Sequence, residues 1–356
     1  MYDHQKELEE IIHRLEKDER MNNAFKGKNV LITGGGGFIG SWICEVLLKM
    51  GAKVVCLDNL SSGLWENIAH LETDPNFKFI MHDISIPVFF GKNKPNKVSY
   101  PNIDKRFDIV MHLASRASPF EFSKFPISIL KSNTLGTLNA LGISKEHNSK
   151  FFYASTSETY GNPPADKVPT PESYFGNVNT IGKRSCYDES KRAGEAFAKA
   201  YELQHNIDVR FVRIFNTYGP RIRAGKELGR ALPNFIEQCL NDEPITVFGD
   251  GSQTRCFTYV VDEVEGILKD TIVPEARGIP INLGHDKVTT ILELAELTKR
   301  LTNSKSKIIF QEMPEDDPVR RQPILTRAKK ILKWEPTTDL ETGLKKTIEW
   351  YKMQNV

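Results

Sequence analysis

Lys28-Asn29-Val30-Leu31-Ile32-Thr33-Gly34-Gly35-Gly36-Gly37-Phe38-Ile39-Gly40 is an apolar strand that runs into a glycine cluster, with an apolar helical pattern from Phe38 to Lys49 behind it. Glycines at the first, fourth and seventh positions of Gly34-x-x-Gly37-x-x-Gly40 permit a tight turn. They also let backbone N–H groups at a helix N-terminus approach a pyrophosphate. A glycine run alone marks only a turn, and its setting supplies the rest. A second strand, Lys53 to Leu57, ends at Asp58, one βα unit on, where a dinucleotide site places an acid for the adenosine ribose hydroxyls. A negative charge there repels an additional ribose phosphate, so the reading is NAD rather than NADP.

Further short apolar runs follow at Phe77 to Ile80, Asp108 to Met111, Lys150 to Tyr153 and Val209 to Val212, mostly separated by helical patterns. Strands alternating with helices predict a Rossmann-type, doubly wound parallel sheet of the α/β class. After Asn216 the chain changes to long polar loops with Pro and Gly, and a smaller C-terminal α/β substrate lobe is expected. Helices are read over Leu232 to Leu240, Asp262 to Lys269, Ile291 to Thr302 and Leu340 to Gln354, with a strand at Ile245 to Phe248. The expected division is an amphipathic N-terminal helix within 1–25, an NAD-binding domain over 26–215 and a mainly substrate-binding lobe over 216–356, part of 256–285 returning to the first domain. Leu8, Ile11, Ile12 and Leu15 carry the helical spacing of the N-terminal segment.

With 356 residues the chain suffices for one large domain and a smaller lobe. A net charge of +2 without a dense basic stripe argues against nucleic acid as a partner. No apolar run approaches the ~20 residues that span a bilayer, and the N-terminus is too polar for a signal peptide. Cys44, Cys56, Cys186, Cys239 and Cys256 are scattered without Cys-x-x-Cys spacing, as in a reduced cytoplasmic protein. The histidines show no ligand spacing; no metal is expected, and His112 reads as a packed residue.

Chemistry is concentrated in Ala154-Ser155-Thr156-Ser157-Glu158-Thr159-Tyr160-Gly161 and in Tyr187-Asp188-Glu189-Ser190-Lys191. Tyr187 and Lys191, four apart, share a helix face. A tyrosine with its usual pKa of about 10 is a poor base near neutrality. A neighbouring ammonium and a positive nicotinamide favour the phenolate, bringing it into range to take a proton from a sugar hydroxyl. Thr156 can hydrogen-bond the same hydroxyl. Glu158 can act as acid or base at a ring carbon, or fix a hydroxyl. Gly249-Asp250-Gly251-Ser252-Gln253-Thr254-Arg255 is a polar turn delivering Arg255, a phosphate clamp, with Arg230 as a second candidate.

Together these segments resemble the extended short-chain dehydrogenase/reductase family of nucleotide-sugar enzymes. The resemblance extends from Lys28 to about Tyr351. Within the family, the wording around Glu158 and Arg321 is most similar to the branch that removes CO2 from UDP-glucuronate. The resemblance implies a catalytic set of Thr156, Glu158, Tyr187, Lys191 and Arg321. It implies NAD contacts from Gly34, Gly37, Phe38, Ile39, Asp58, Asn59, Asp83, Ile84, Leu113, Ala114, Ser115, Thr134, Tyr187 and Lys191. Asp83 equally suits a helix cap. Arg116, Asn216, Arg230, Arg255 and Arg321 are the substrate-side residues, Asn216 holding the diphosphate of a UDP-sugar. Arg321 is expected to face the substrate carboxylate, with Arg320 as the neighbouring register and Gln322 where lysine is common. Ser157 stands where dehydratases of the superfamily carry aspartate, which disfavours dehydration. Arg116 replaces a proline of the decarboxylases and either meets the carboxylate or points outward. The alternatives are a nucleotide-sugar 4-epimerase, an oxidative decarboxylase that releases the keto sugar, and a non-catalytic NAD-binding sensor. The resemblance also implies a homodimer, with helices over Ile127 to Glu146 and Tyr187 to His205 pairing across a two-fold axis.

Overall fold

Val30, Leu31 and Ile32 alternate sides of the first strand, β1 (Asn29–Thr33), and all three are buried. Both faces of this strand are therefore covered, as in a parallel sheet flanked by helices. In the computed structural model, which describes residues 2–90, 99–100, 106–225, 230–313 and 320–354, that expectation is met. β2 (Lys53–Asp58), β3 (Phe77–Met81), β4 (Ile109–His112), β5 (Lys150–Thr156), β6 (Val209–Ile214) and β7 (Pro280–Leu283) join β1. Among the described residues they form one seven-stranded sheet in the order β7-β6-β5-β4-β1-β2-β3. Every pairing in it is parallel. The order reverses between β1 and β4, and the crevice at the carboxyl ends of those strands is where a doubly wound sheet binds ligands.

One face carries Val30, Ile32, Val54, Cys56, Met111 and Phe152 under helices α1 (His4–Glu16), α2 (Phe38–Lys49) and α7 (Val260–Ile272). The other carries Leu31, Leu57, Val110, Phe151 and Tyr153 beneath α4 (Leu135–His147) and α5 (Ser185–His205). Of the remaining helices Pro119–Lys124 is short, and the longer ones are α3 (Pro126–Asn133), α6 (Ala231–Leu240), α8 (Ile291–Thr302) and α9 (Leu340–Gln354). Beyond the sheet, Ile245–Phe248 pairs in parallel with Ile308–Gln311, and Asn216–Tyr218 with Phe257–Tyr259.

α1 buries Leu8, Ile11 and Leu15, each worth about 1.5–3 kcal/mol in removed apolar surface. Its Arg14 meets Asp262 of α7 at 2.5 Å, and its His4 Nε2 meets Glu45 Oε2 of α2 at 2.7 Å. The helix stops at Glu16, short of the stretch to residue 25 read as amphipathic. Asp18 accepts the Arg20 N–H and opens a separate 3₁₀ turn at Glu19–Met21.

The stretch Ile127 to Glu146, read as one helix, is divided at Thr134. Its backbone leaves the regular helical geometry (φ −107°, ψ −71°) while its hydroxyl donates to the Leu130 carbonyl at 2.6 Å. Such local side-chain bonding competes with the helix ladder and bends it.

Two glycines test this packing. At Gly40, a Cβ would lie 2.2 Å from the Gly34 carbonyl oxygen, backbone against backbone. At Gly142 in α4, a Cβ meets nothing within 4 Å. Gly40→Ala is expected to destabilise by about 1–3 kcal/mol through overpacking. Gly142→Ala is expected to stabilise by about 0.5–1 kcal/mol through reduced unfolded-state entropy. Urea midpoints of the two variants, moving in opposite directions, check both.

Candidate active site

The carboxyl ends of β1, β4 and β5 open into a cavity of about 1070 Å³, walled on its far side by α6 and the Thr254–Arg255 strand. Pockets for one drug-sized ligand run from about 300 to 1,000 Å³. This one has room for a dinucleotide and a second ligand.

At the β1 end, Gly34 has φ +79°, and a Cβ there would lie 2.6 Å from the Ala114 backbone nitrogen. Only glycine lets the loop come this close to the end of β4. Gly37 precedes α2 and contributes no side chain over its first turn; a Cβ there would approach only the Gly34 carbonyl, at 3.2 Å. The unpaired N–H groups of that turn thus face an open cradle suited to a pyrophosphate. Asp58 is buried at the end of β2 and accepts the Gly36 N–H at 2.9 Å and the Leu60 N–H at 2.8 Å. It first holds the loop in place, and its remaining lone pairs are available to ribose hydroxyls. Phe38, Ile39, Asn59, Asp83, Ile84, Leu113, Ala114 and Ser115 line the same cavity. Thr134 does not: its hydroxyl is spent on Leu130, and Ser132, bonded to the Ala114 carbonyl at 2.9 Å, lines the cavity instead. These features fit an NAD molecule.

At the centre, β5 ends in Thr156, whose hydroxyl accepts the Glu158 N–H at 3.3 Å and starts the short Ser157–Tyr160 turn. Tyr187 and Lys191 face it from α5. The Lys191 ammonium lies 5.8 Å from the Tyr187 ring centre and donates to the Ala154 carbonyl at 2.8 Å. Burial moves the two in opposite directions. The Tyr187 phenol is pushed up by desolvation and by Glu158, against which the Thr156 hydroxyl pulls it down. Lys191 is pushed down to about 7, chiefly by desolvation. Phe122 stacks on the Tyr187 ring at 4.9 Å between centres and 13° between planes. His112 packs below: Nδ1 is 2.7 Å from the Thr33 hydroxyl, and burial pushes its pKa down to about 3.

The sugar end holds a cluster of buried charges. Arg321 Nη2 donates to Glu158 Oε2 at 2.7 Å, while Nη1 donates to the Gly161 and Ser157 carbonyls at 2.6 and 3.2 Å. Arg184 Nη2 donates to the same Glu158 oxygen at 2.5 Å. Burial raises the Glu158 carboxyl, but Arg321 and Arg184 outweigh it and hold the group well below the ordinary carboxylate range. Asp188, 3.9 Å from Arg184, is moved the other way by burial and by Glu158. Arg321 is 4% exposed and Arg320 is on the surface. Its segment is pinned by backbone bonds from Thr170 N–H to the Gln322 carbonyl and from Ile324 N–H to the Thr170 carbonyl. The preceding Asp316-Asp317-Pro318-Val319 lies outside the described residues. Arg321 is thus already bonded to Glu158 and two carbonyls, where a fork held open for the substrate was expected. Sequence reasoning missed Arg184 and Phe122. The available signal for Arg184 was its place three residues before Tyr187, on the same helix face.

Asn216, Arg230 and Arg255 line the opposite wall. Among the described residues the buried Asn216 Nδ2 has no partner, a donor matched to an anionic oxygen. Arg230 reaches the Ala117 carbonyl at 3.4 Å, and Arg255 the Thr254 carbonyl at 2.9 Å. Arg116 also lines the cavity, ion-paired to Glu121 with its guanidinium 4.2 Å over the Phe125 ring centre.

The sequence profile of the NAD dependent epimerase/dehydratase family matches residues 30–284. UDP-glucuronic acid decarboxylase 1 of Danio rerio is 42% identical over 327 residues, covering 92% of this chain and 73% of its own. UDP-glucuronic acid decarboxylase 2 of Arabidopsis thaliana is 41% identical over 320 residues, covering 90% and 67%. Among solved structures, UDP-glucuronic acid 4-epimerase of Bacillus cereus, in complex with UDP-glucuronic acid and NAD, superposes with a TM-score of 0.80 at 27% identity, over 92% of this chain and 99% of that one. The matched residues run from the first strand of the sheet to just past its last, through the glycine cradle and the Tyr187–Lys191 pair, so the chain belongs to the NAD dependent epimerase/dehydratase family.

Proposed function

We propose that this protein decarboxylates UDP-glucuronate to UDP-xylose through a UDP-4-keto sugar, with NAD recycled in place. The observation that carries the reading is the partly buried Glu158, held by Arg321 and Arg184 beside Tyr187. The decarboxylase relatives, about 40% identical over most of the chain, support it. We read residues 26–215 as the NAD-binding part and 216–356 as mainly substrate-binding, with part of 256–285 returning to the sheet.

Bound NAD supplies a reversible hydride acceptor for C4 of the sugar. The chain supplies the proton chemistry. Tyr187, whose phenol the Thr156 hydroxyl pulls down against burial and Glu158, takes the C4 hydroxyl proton. A carbonyl at C4 lies β to the C6 carboxylate, so the electrons of the breaking C–C bond enter an enolate. Tyr187 and Thr156 donate to its oxygen. Glu158 and Arg321 serve carboxylate placement and the chemistry at C5, where the returning proton comes from water because Glu158 is held ionised. Asn216, Arg230 and Arg255 hold the diphosphate, with two guanidiniums and one unpartnered amide on that wall.

The second reading is 4-epimerisation, favoured by the fold's likeness to a 4-epimerase that binds the same sugar acid. All five cysteines are buried and unpaired, which supports a reducing, cytoplasmic compartment. Among the described residues no helix is long and apolar enough to cross a membrane. Ile127 and Leu130 on α3, Leu135 on α4 and Leu203 on α5 are exposed, which supports a homodimer through these helices. Light scattering is expected to return twice the chain mass.

Incubation with UDP-glucuronate and catalytic NAD, followed by proton NMR and mass spectrometry, is expected to show loss of CO2 and a xylose-type spectrum. An unchanged mass with a galacturonate-type spectrum would establish the epimerase instead. Tyr187→Phe is expected to lower kcat by about 10²–10⁴-fold with UDP-sugar binding retained.

Lys191 generates a pH prediction for the NAD-free protein. Its folded pKa, about 7, lies below the unfolded value of about 10.4. Between those values the unfolded chain binds more protons, so this group's contribution to stability rises with pH and is lost as pH falls through 7. Lys191→Met is therefore expected to be more stable than wild type at pH 7, with the gap narrowing by pH 9 in urea titrations.

A further inference from the structure

Glu158 brings a carboxylate to the sugar end of the cavity, Arg184 and Arg321 bring two guanidiniums, and Asp188 stands 3.9 Å from Arg184. Both guanidiniums converge on a single oxygen, Oε2, from different parts of the fold. Arg321 arrives on the segment clamped to Thr170 and is locked by the Ser157 and Gly161 carbonyls. Arg184 arrives from the start of α5, one turn before Tyr187, with its guanidinium 5.4 Å over the Phe122 ring centre. Phe122 in turn stacks on Tyr187. Arg184, Phe122 and Tyr187 therefore form one packed unit, and Glu158 is tied to it.

We propose that Arg184 is a positioning residue for the decarboxylation proposed above. By sharing Glu158 Oε2 with Arg321 it presents Oε1 to the substrate. A single donor leaves a carboxylate free to rotate about its last bond. Two donors on one oxygen, anchored on separate elements, do not. Because one of them sits on the helix of Tyr187, the proton acceptor at C4 and the carboxylate near C5 keep a fixed separation. Angstrom-scale misplacement of such groups costs on the order of 10²-fold in rate. The groups that act on Glu158 are Arg184, Arg321 and Arg255, which keep it ionised, and it in turn acts on Asp188 and Tyr187.

The test uses the full chain with NAD and compares wild type, Arg184→Gln, Arg184→Lys and, as a surface control, Arg320→Gln. Arg184→Gln is expected to lower kcat on the order of 10²-fold. It should also shift the acidic limb of the kcat–pH profile upward, because Glu158 with one guanidinium fewer is protonated at higher pH. Arg184→Lys is expected to recover part of both, since it keeps the charge without the planar fork. Calorimetric titration with UDP-glucuronate and UDP-xylose gives a readout independent of turnover. The preference for the acidic sugar is expected to fall about tenfold in Arg184→Gln, while NAD affinity and the urea midpoint stay at wild-type values. An unchanged acidic limb together with an unchanged acidic-sugar preference overturns the proposal, whatever happens to kcat. A wild type that binds UDP-glucuronate but releases no CO2 overturns the decarboxylase reading alone, and the calorimetry still decides the role of Arg184.

Discussion

The contact between the glycine loop and the end of β4 governs the architecture of the site. Gly34 brings its backbone within side-chain distance of Ala114, and the Gly34 carbonyl occupies the space that a side chain at Gly40 would need. Asp58 ties the same loop to β2 through the Gly36 N–H. α2 is thereby set against the sheet where the strand order reverses, with its N-terminal turn open to the cavity. The position of the cofactor cradle, and hence of everything that must meet a cofactor there, follows from backbone groups that tolerate no Cβ between them.

Burial then determines what the titratable groups can do. Desolvation lowers Lys191 and raises Tyr187, so burial drives both groups towards their neutral forms. A positively charged ligand beside them favours phenolate, which makes the tyrosine a conditional base that depends on what is bound. Glu158 lies in the same low-dielectric region and stays ionised only because two guanidiniums surround one of its oxygens.

The substrate wall follows a different logic. Asn216, Arg230 and Arg255 come from three elements that share no local pattern, and they converge because the chain passes out of β6 into the smaller lobe and folds back over the crevice. Arg116 is ion-paired to Glu121 and stacked on Phe125. Its charge is compensated within its own loop.

Much of this was legible in the chain itself. The alternation of Val30, Leu31 and Ile32, the glycine spacing after them and Asp58 one unit later determined a parallel sheet and the place of a dinucleotide, because these signals are local and set by backbone geometry. Tyr187 and Lys191 were readable for the same reason, since four residues on a helix make one face. Thr134 was not, because whether its hydroxyl faces a cavity or a carbonyl one turn back depends on how the helix bends. Arg184 and Phe122 escaped because their importance lies in contacts with Glu158 and Tyr187, which sequence spacing does not encode. Arg321 was visible as an arginine in a charged run. Only tertiary structure buried it, left Arg320 outside and joined it to Glu158, because pairing across 163 positions is decided by the backbone bonds at Thr170 rather than by anything adjacent to either residue.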